Sequence, residues 1–114
     1  MGMASEYGAP EPSREEVEGM AGAVVLEFGN AWCGYCARAQ PLIAAAFEEH
    51  PGVRHIKVED GPGRLLGRTY KVKLWPTLIF LQDGEEVARV VRPGDPAQLV
   101  NAFDSIDPAT PRKS

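Results

Sequence analysis

The segment Ala23-Val24-Val25-Leu26-Glu27-Phe28, bounded by Gly22 and Gly29, constrains this chain most. It is short, apolar and rich in β-branched residues, the signature of a strand buried on both faces. Such a strand needs a covering layer on each side. One charge, Glu27, interrupts it, and a carboxylate there costs free energy unless it is paired or functional. From Cys33 to about His50 the pattern turns helical, with Leu42, Ile43, Ala46 and Phe47 on one face. Pro41 inside that stretch predicts a kink, and Pro51-Gly52 stops it.

The remaining segments supply the other layers. Ser13 and Glu16 fit a capping box that opens a short helix to about Met20. Val53 to Val58 reads as a second strand. Gly61-Pro62-Gly63 forms a loop, and a helix through Leu65, Leu66, Thr69 and Tyr70 follows. Thr77 to Leu81 is a third apolar strand, Asp83-Gly84 a hairpin turn signal, and Glu86 to Val91 the returning strand. Asp95-Pro96 caps a last helix whose expected buried face is Leu99, Val100 and Phe103. The order α-β-α-β-α-β-β-α predicts an α/β fold, a central mixed sheet flanked by helices on both faces. Residues 1–12 and 107–114 read as loose tails around one domain, residues 13–106. Ligand chemistry in such sheets gathers beyond the carboxyl ends of the strands, where Cys33 lies.

With 114 residues the chain suits one core, and its 44% apolar and 25% charged residues are ordinary for a globular protein. A net charge of −4 gives no electrostatic reason to expect nucleic acid as a partner. No apolar run is long enough to cross a bilayer. Met1 to Pro12 lacks a basic segment followed by an apolar core, so it reads as no signal peptide; a cytoplasmic location is the expectation, with prior removal of a leader the alternative. In a reducing compartment two cysteines are catalytic or metal-binding sooner than a staple.

Those cysteines carry the chemistry. Trp32-Cys33-Gly34-Tyr35-Cys36 sits at a strand-to-helix junction. Cysteines three apart at a helix start can form a disulfide across one turn. The first points toward unpaired backbone N–H groups and the positive end of the helix dipole, which favour its thiolate. Cys33 is therefore expected to attack a substrate disulfide. Cys36, one turn deeper, then displaces Cys33 from the mixed disulfide.

The segment Phe28 to Cys36, with Pro41 following, resembles the active-site segment of the thioredoxin family. Tyr70-Lys71-Val72-Lys73-Leu74-Trp75-Pro76-Thr77 is similar to that family's second signature, and the Asp83-Gly84 hairpin fits as well. The resemblance covers about residues 13–106. It implies a thioredoxin-like fold and a protein-disulfide reductase whose only redox group is the Cys33–Cys36 disulfide. It further implies a cis Pro76 against the two sulfurs, with substrate contacts at Trp32, Gly34, Tyr35, Trp75 and Pro76. Glu27 matches the family's buried acid, expected to exchange protons with Cys36, with Lys57 as its charge partner. Burial should raise the Glu27 pKa. Protein disulfides as substrates, an NADPH-dependent thioredoxin reductase as recycling partner and a monomeric state also follow from the resemblance.

The chain departs from the family pattern in places. Tyr35 stands where the family usually has proline, and Gly34-Tyr35 resembles the dipeptide of some periplasmic disulfide isomerases. Gly29 replaces the common tryptophan after Phe28, Trp75 is bulkier than usual, and Arg92-Pro93-Gly94 replaces the usual glycine of the last substrate loop. The family's first strand is not evident. Two competing functions follow: a binding or chaperone module with accessory cysteines, and an oxidase or isomerase outside the cytoplasm. A zinc site of Cys33, Cys36, His50 and His55 matches by spacing. It fails by context, because Pro51-Gly52 separates the histidines and the cysteines open a helix. His50 reads as a helix C-terminal residue and His55 as a strand surface residue. Arg64, Arg68, Lys71 and Lys73 read as a solvated face.

Overall fold

A computed structural model of the chain describes Tyr7 and residues 11–110. In chain order the elements are α1 (Arg14–Glu18), β1 (Ala23–Gly29), α2 (Gly34–Glu49), β2 (Arg54–Glu59), α3 (Leu65–Thr69), β3 (Thr77–Gln82), β4 (Glu85–Val91) and α4 (Ala97–Ile106). The sheet runs β2-β1-β3-β4, with β1 parallel to β2 and antiparallel to β3, and β3 antiparallel to β4. Every residue of β1 is buried, Glu27 included, as its short run of apolar residues predicts.

Period-2 alternation divides the strands between two cores. Ala23, Val25, Leu78 and Phe80 pack with Ile43 and Phe47 of α2 and with Leu99, Phe103 and Ile106 of α4. Val24, Leu26, Phe28, Ile79 and Leu81 pack instead with Val17, Leu66 and Tyr70. Glu27 shares the parity of Ala23 and Val25, so it faces α2 at the carboxyl end of β1. The edge strand β4 carries Glu85, Glu86 and Arg89 on a mostly exposed surface, charges that discourage pairing with another sheet edge.

Local chemistry sets the element ends. Ser13 and Glu16 complete the capping box, with both reciprocal bonds at 3.0 Å. The β3–β4 turn has positive φ at Asp83 (51°) and Gly84 (84°), the requirement of the tight turns that Asp-Gly favours. Asp83 also accepts a bond from the Gly22 N–H at 2.8 Å, tying the hairpin to the start of β1. α2 runs unbroken through Pro41. In α4 the expectation fails at Val100, which is 52% exposed. The buried face is instead Leu99, Ala102, Phe103 and Ile106, the i, i+3, i+4, i+7 set of a helix lying on a sheet.

The predicted tails fall partly on residues 1–6, 8–10 and 111–114, outside the described residues. Within them, the Glu11 carboxylate accepts from the Leu65 and Leu66 N–H groups at the start of α3 (3.4 and 2.9 Å). Asp107 is buried and hydrogen-bonded to His50. Tyr7 lies at the cysteines.

Candidate active site

The turn from β1 into α2 is built by Asn30, a buried residue. Its side-chain oxygen accepts from the Trp32 N–H at 3.0 Å and its carbonyl from the Cys33 N–H at 3.4 Å. This folds the chain back so that Cys33 becomes the N-cap of α2, in extended conformation. Its Sγ accepts a bond from the Cys36 backbone N–H at 3.1 Å, the place an N-cap oxygen occupies in other helices. The thiols are unjoined, Cys33 half-buried and Cys36 3% exposed. Burial, with the bond to Cys33 and the nearby negative charge of Cys33 and Glu27, pushes the Cys36 thiol up to about 12 against a smaller opposing effect of the Asn30 backbone. The two sulfurs thus differ in exposure and in their surroundings.

Glu27 is fully buried behind them. Its Oε1 is 2.8 Å from His55 Nε2, and its Oε2 accepts from Gln40 Nε2 at 2.8 Å. The same Gln40 nitrogen reaches the Cys36 carbonyl at 3.1 Å, and Gln40 Oε1 accepts from Lys57 Nζ at 3.3 Å. Lys57, beside Glu27 in strand register, acts on it by charge and is linked to it through Gln40, while His55 bonds it directly. Two expectations are corrected. His55 is no surface residue: its side chain is wholly buried against Glu27 and its ring stacks on Phe47 at 4.3 Å. Consequently the Glu27 pKa is lowered rather than raised. Burial alone pushes it up, but the bonds from His55 and Gln40 and the charges of His55 and Lys57 outweigh that cost.

The sequence held a signal for this. Alternation along β2 puts Val53, His55 and Lys57 on one face, opposite Ile56 and Val58, and Val53 belongs to the α2-side core. A zinc site over Cys33, Cys36, His50 and His55 conflicts with these positions, since His50 engages Asp107 and His55 engages Glu27.

On the outer side, Trp32 is 86% exposed and Tyr35 is exposed. Two guanidinium groups lie over the Tyr35 ring, Arg92 at 3.8 Å and Arg38 at 4.7 Å from its centroid. The Trp75–Pro76 peptide is cis. Trp75 is anchored through its indole N–H to Asp60 at 2.8 Å, and its carbonyl accepts from Arg92 Nε at 2.8 Å. Arg92 itself has φ of 48°, an uncommon conformation for a residue with a side chain. The structure therefore brings Arg92 to the rim of the site between Tyr35 and Trp75. Gly34 is exposed at the start of α2.

A cleft of about 140 Å³ opens beside the cysteines, lined by Tyr7, Asn30, Cys33, Cys36, Gln40 and Lys57 among others. Sequence reasoning missed Tyr7, Gln40 and His55. Gln40 follows Cys36 by one helical turn and so shares its face, whereas nothing in the sequence marks Tyr7.

A nucleophile-poised sulfur capping a helix, a buried second sulfur one turn on, and a buried acid behind both define a dithiol redox site. The profile of the thioredoxin family matches residues 9–105. Thioredoxin from Chlamydia pneumoniae is 37% identical over 84 residues, 74% of this chain and 82% of that protein. Thioredoxin H-type 1 from Nicotiana tabacum is 35% identical over 68 residues, 60% of this chain, and the match spans about half, 54%, of the tobacco protein. Among solved structures, thioredoxin 2 from Pseudomonas aeruginosa in its reduced form superposes with a TM-score of 0.80 at 56% identity, covering 89% of this chain and 94% of that one. The chain belongs to the thioredoxin family, whose members are thiol–disulfide oxidoreductases acting through their own cysteines.

Proposed function

We propose that this protein reduces disulfides of protein substrates by dithiol exchange. The carrying observation is the inequality of the sulfurs: Cys33 caps α2 at the surface, while Cys36 is buried and held protonated. The Cys33 thiolate attacks a substrate disulfide. A Cys33–substrate sulfur bond forms and the first substrate sulfur leaves as a thiol after taking a proton. Cys36 then loses its proton and attacks Cys33, closing the Cys33–Cys36 disulfide and releasing the second substrate sulfur. The substrate gains two electrons and the protein dithiol loses them.

Glu27 is the proton acceptor for Cys36 in this reading. Its lowered pKa keeps it ionised at neutral pH, so it is always in the accepting form, and its charge disfavours premature ionisation of Cys36. Lys57 and His55 hold the charge in place. Trp32, Gly34, Tyr35, Trp75 and Pro76 form the surface that receives the substrate segment. The cytoplasm is the proposed compartment, because a dithiol that works as a reductant must be kept reduced. An NADPH-dependent thioredoxin reductase is the proposed source of electrons, and the monomer the working form.

The test is reduction of insulin disulfides by dithiothreitol-recycled protein. Cys33→Ser is expected to abolish turnover, and Cys36→Ser to accumulate a covalent complex with substrate. Full activity in Cys33→Ser would overturn the mechanism. An oxidising potential for the couple would assign the protein to disulfide formation instead.

A further inference from the structure

Tyr7 lies far from the cysteines in sequence, yet its hydroxyl shares one small space with the Cys36 sulfur. Gly29 marks that space. A Cβ added at Gly29 would stand 2.6 Å from Cys36 Sγ and 2.9 Å from Tyr7 Oη, closer than real carbon contacts allow. The absence of a side chain at Gly29, one of this chain's departures from the family pattern, is therefore what admits both groups. The Tyr7 hydroxyl and the Cys36 sulfur thus flank one point in space, within reach of each other. Lys57 Nζ lies over the Tyr7 ring, 4.7 Å from the centroid, and the tyrosine forms one wall of the cleft beside both sulfurs.

We propose that Tyr7 is a further catalytic residue, whose O–H donates a hydrogen bond to the Cys36 sulfur as that sulfur becomes a thiolate and attacks the mixed disulfide. The proposal rests on the dithiol mechanism above and adds a step-specific role within it. In the resolving step the Cys36 proton passes to the Glu27 side of the site. The Cys36 electron pair forms the bond to Cys33, and the Cys33–substrate bond breaks with its pair on the substrate sulfur. Tyr7 neither gains nor loses a proton. Its role is to lower the energy of a sulfur anion formed at a buried position, where charge is costly.

The electrostatics support donation rather than base catalysis. Burial, with the negative charge of Cys36 and Glu27, raises the Tyr7 pKa above the ordinary phenol value, so the hydroxyl keeps its proton throughout the working range. A charge-assisted hydrogen bond to a buried anion is stronger than a neutral one. Lys57 supplies a second source of positive potential to the same cleft.

The experiment separates the two thiol steps with 5,5′-dithiobis(2-nitrobenzoate) in stopped flow, using the full chain. Attack by Cys33 releases the first thionitrobenzoate and attack by Cys36 the second. Tyr7→Phe keeps the ring and removes only the donor. Its first phase is expected to match wild type, while its second phase slows by about fivefold to tenfold and needs higher pH to reach its maximum. An unchanged second phase in Tyr7→Phe, with slowing only in Tyr7→Ala, would reduce Tyr7 to a space-filling role and overturn the proposal. Loss of the first phase in the wild type itself would instead overturn the assignment of Cys33 as nucleophile. Gly29→Ala provides an independent check. Its Cβ must displace the hydroxyl or the sulfur, so it should slow the second phase as Tyr7→Phe does, and a wild-type second phase there would also count against the contact.

Discussion

The two faces of the sheet are made by the same strands and serve different ends. Toward α1 and α3 the lining is apolar along its length: Val24, Leu26 and Phe28 of β1 with Ile79 and Leu81 of β3. Toward α2 and α4 it begins equally apolar, at Ala23, Val25 and Phe80. It then changes toward the carboxyl end of β1 to Glu27, His55 and Lys57, all buried, with His55 bonded to Glu27 directly and Lys57 linked to it through Gln40. A buried polar cluster is tolerated only when its members satisfy one another. The cluster is confined to one end of one face, where the strand ends leave room for a reacting group. The opposite face carries stability and is free of that chemistry.

That division can be broken by mutation. Leu26→Ala, on the apolar face, is expected to cost about 2–5 kcal/mol in urea denaturation, while the thiol exchange rates of the folded fraction stay unchanged. A comparable loss of exchange rate in the folded protein would show that the two faces are not separable.

Glu27→Gln is the converse change, keeping size and removing the charge. It is expected to slow mixed-disulfide resolution about 100-fold or more and to affect Cys33 alkylation much less. Its pH signature has a definite sign. The folded-state pKa of Glu27 is lowered, so its contribution is fully present above the unfolded carboxyl value of about 4.3 and is lost as pH falls through the folded value. The acid limb of wild-type stability should therefore be steeper than that of Glu27→Gln. Asp107, also lowered by burial-opposing bonds from the Ala109 backbone and His50, contributes to that limb in both proteins. Equal acid limbs would remove Glu27 from the account of stability, and equal resolution rates would remove it from the mechanism.

Arg92→Gln tests the rim. It removes the contact over Tyr35 and the bond to the Trp75 carbonyl. Exposed cation–π contacts are weak, so KM for a peptide disulfide should change only about two- to fivefold, with kcat nearly constant. A large change in kcat would place Arg92 nearer the reacting sulfurs than its contacts indicate.

Much of this arrangement was legible from residue order. The buried strand at Ala23–Phe28, the helix opened by Cys33, the Asp83-Gly84 hairpin and the capping box at Ser13 each rest on local rules, and each is where those rules put it. What escaped depended on contacts across the chain. His55 was readable as a surface residue until α2 covered its face and Glu27 took its ring nitrogen. The direction of the Glu27 shift depended on that same contact, because burial and hydrogen bonding act oppositely on a carboxyl. Val100 was one position off the true buried face of α4, which only the sheet beneath it defines. Tyr7 belongs to a stretch without periodicity, and its place follows from a gap at Gly29 that one residue type in one sequence does not announce.

The central claim is that the two sulfurs are unequal because one caps the helix and the other lies beneath it. Iodoacetamide labelling of the reduced protein near neutral pH, resolved peptide by peptide by mass spectrometry, measures this directly. The account predicts alkylation of Cys33 much faster than of Cys36, whose thiol is buried and held up to about 12. Equal rates at the two cysteines would contradict it.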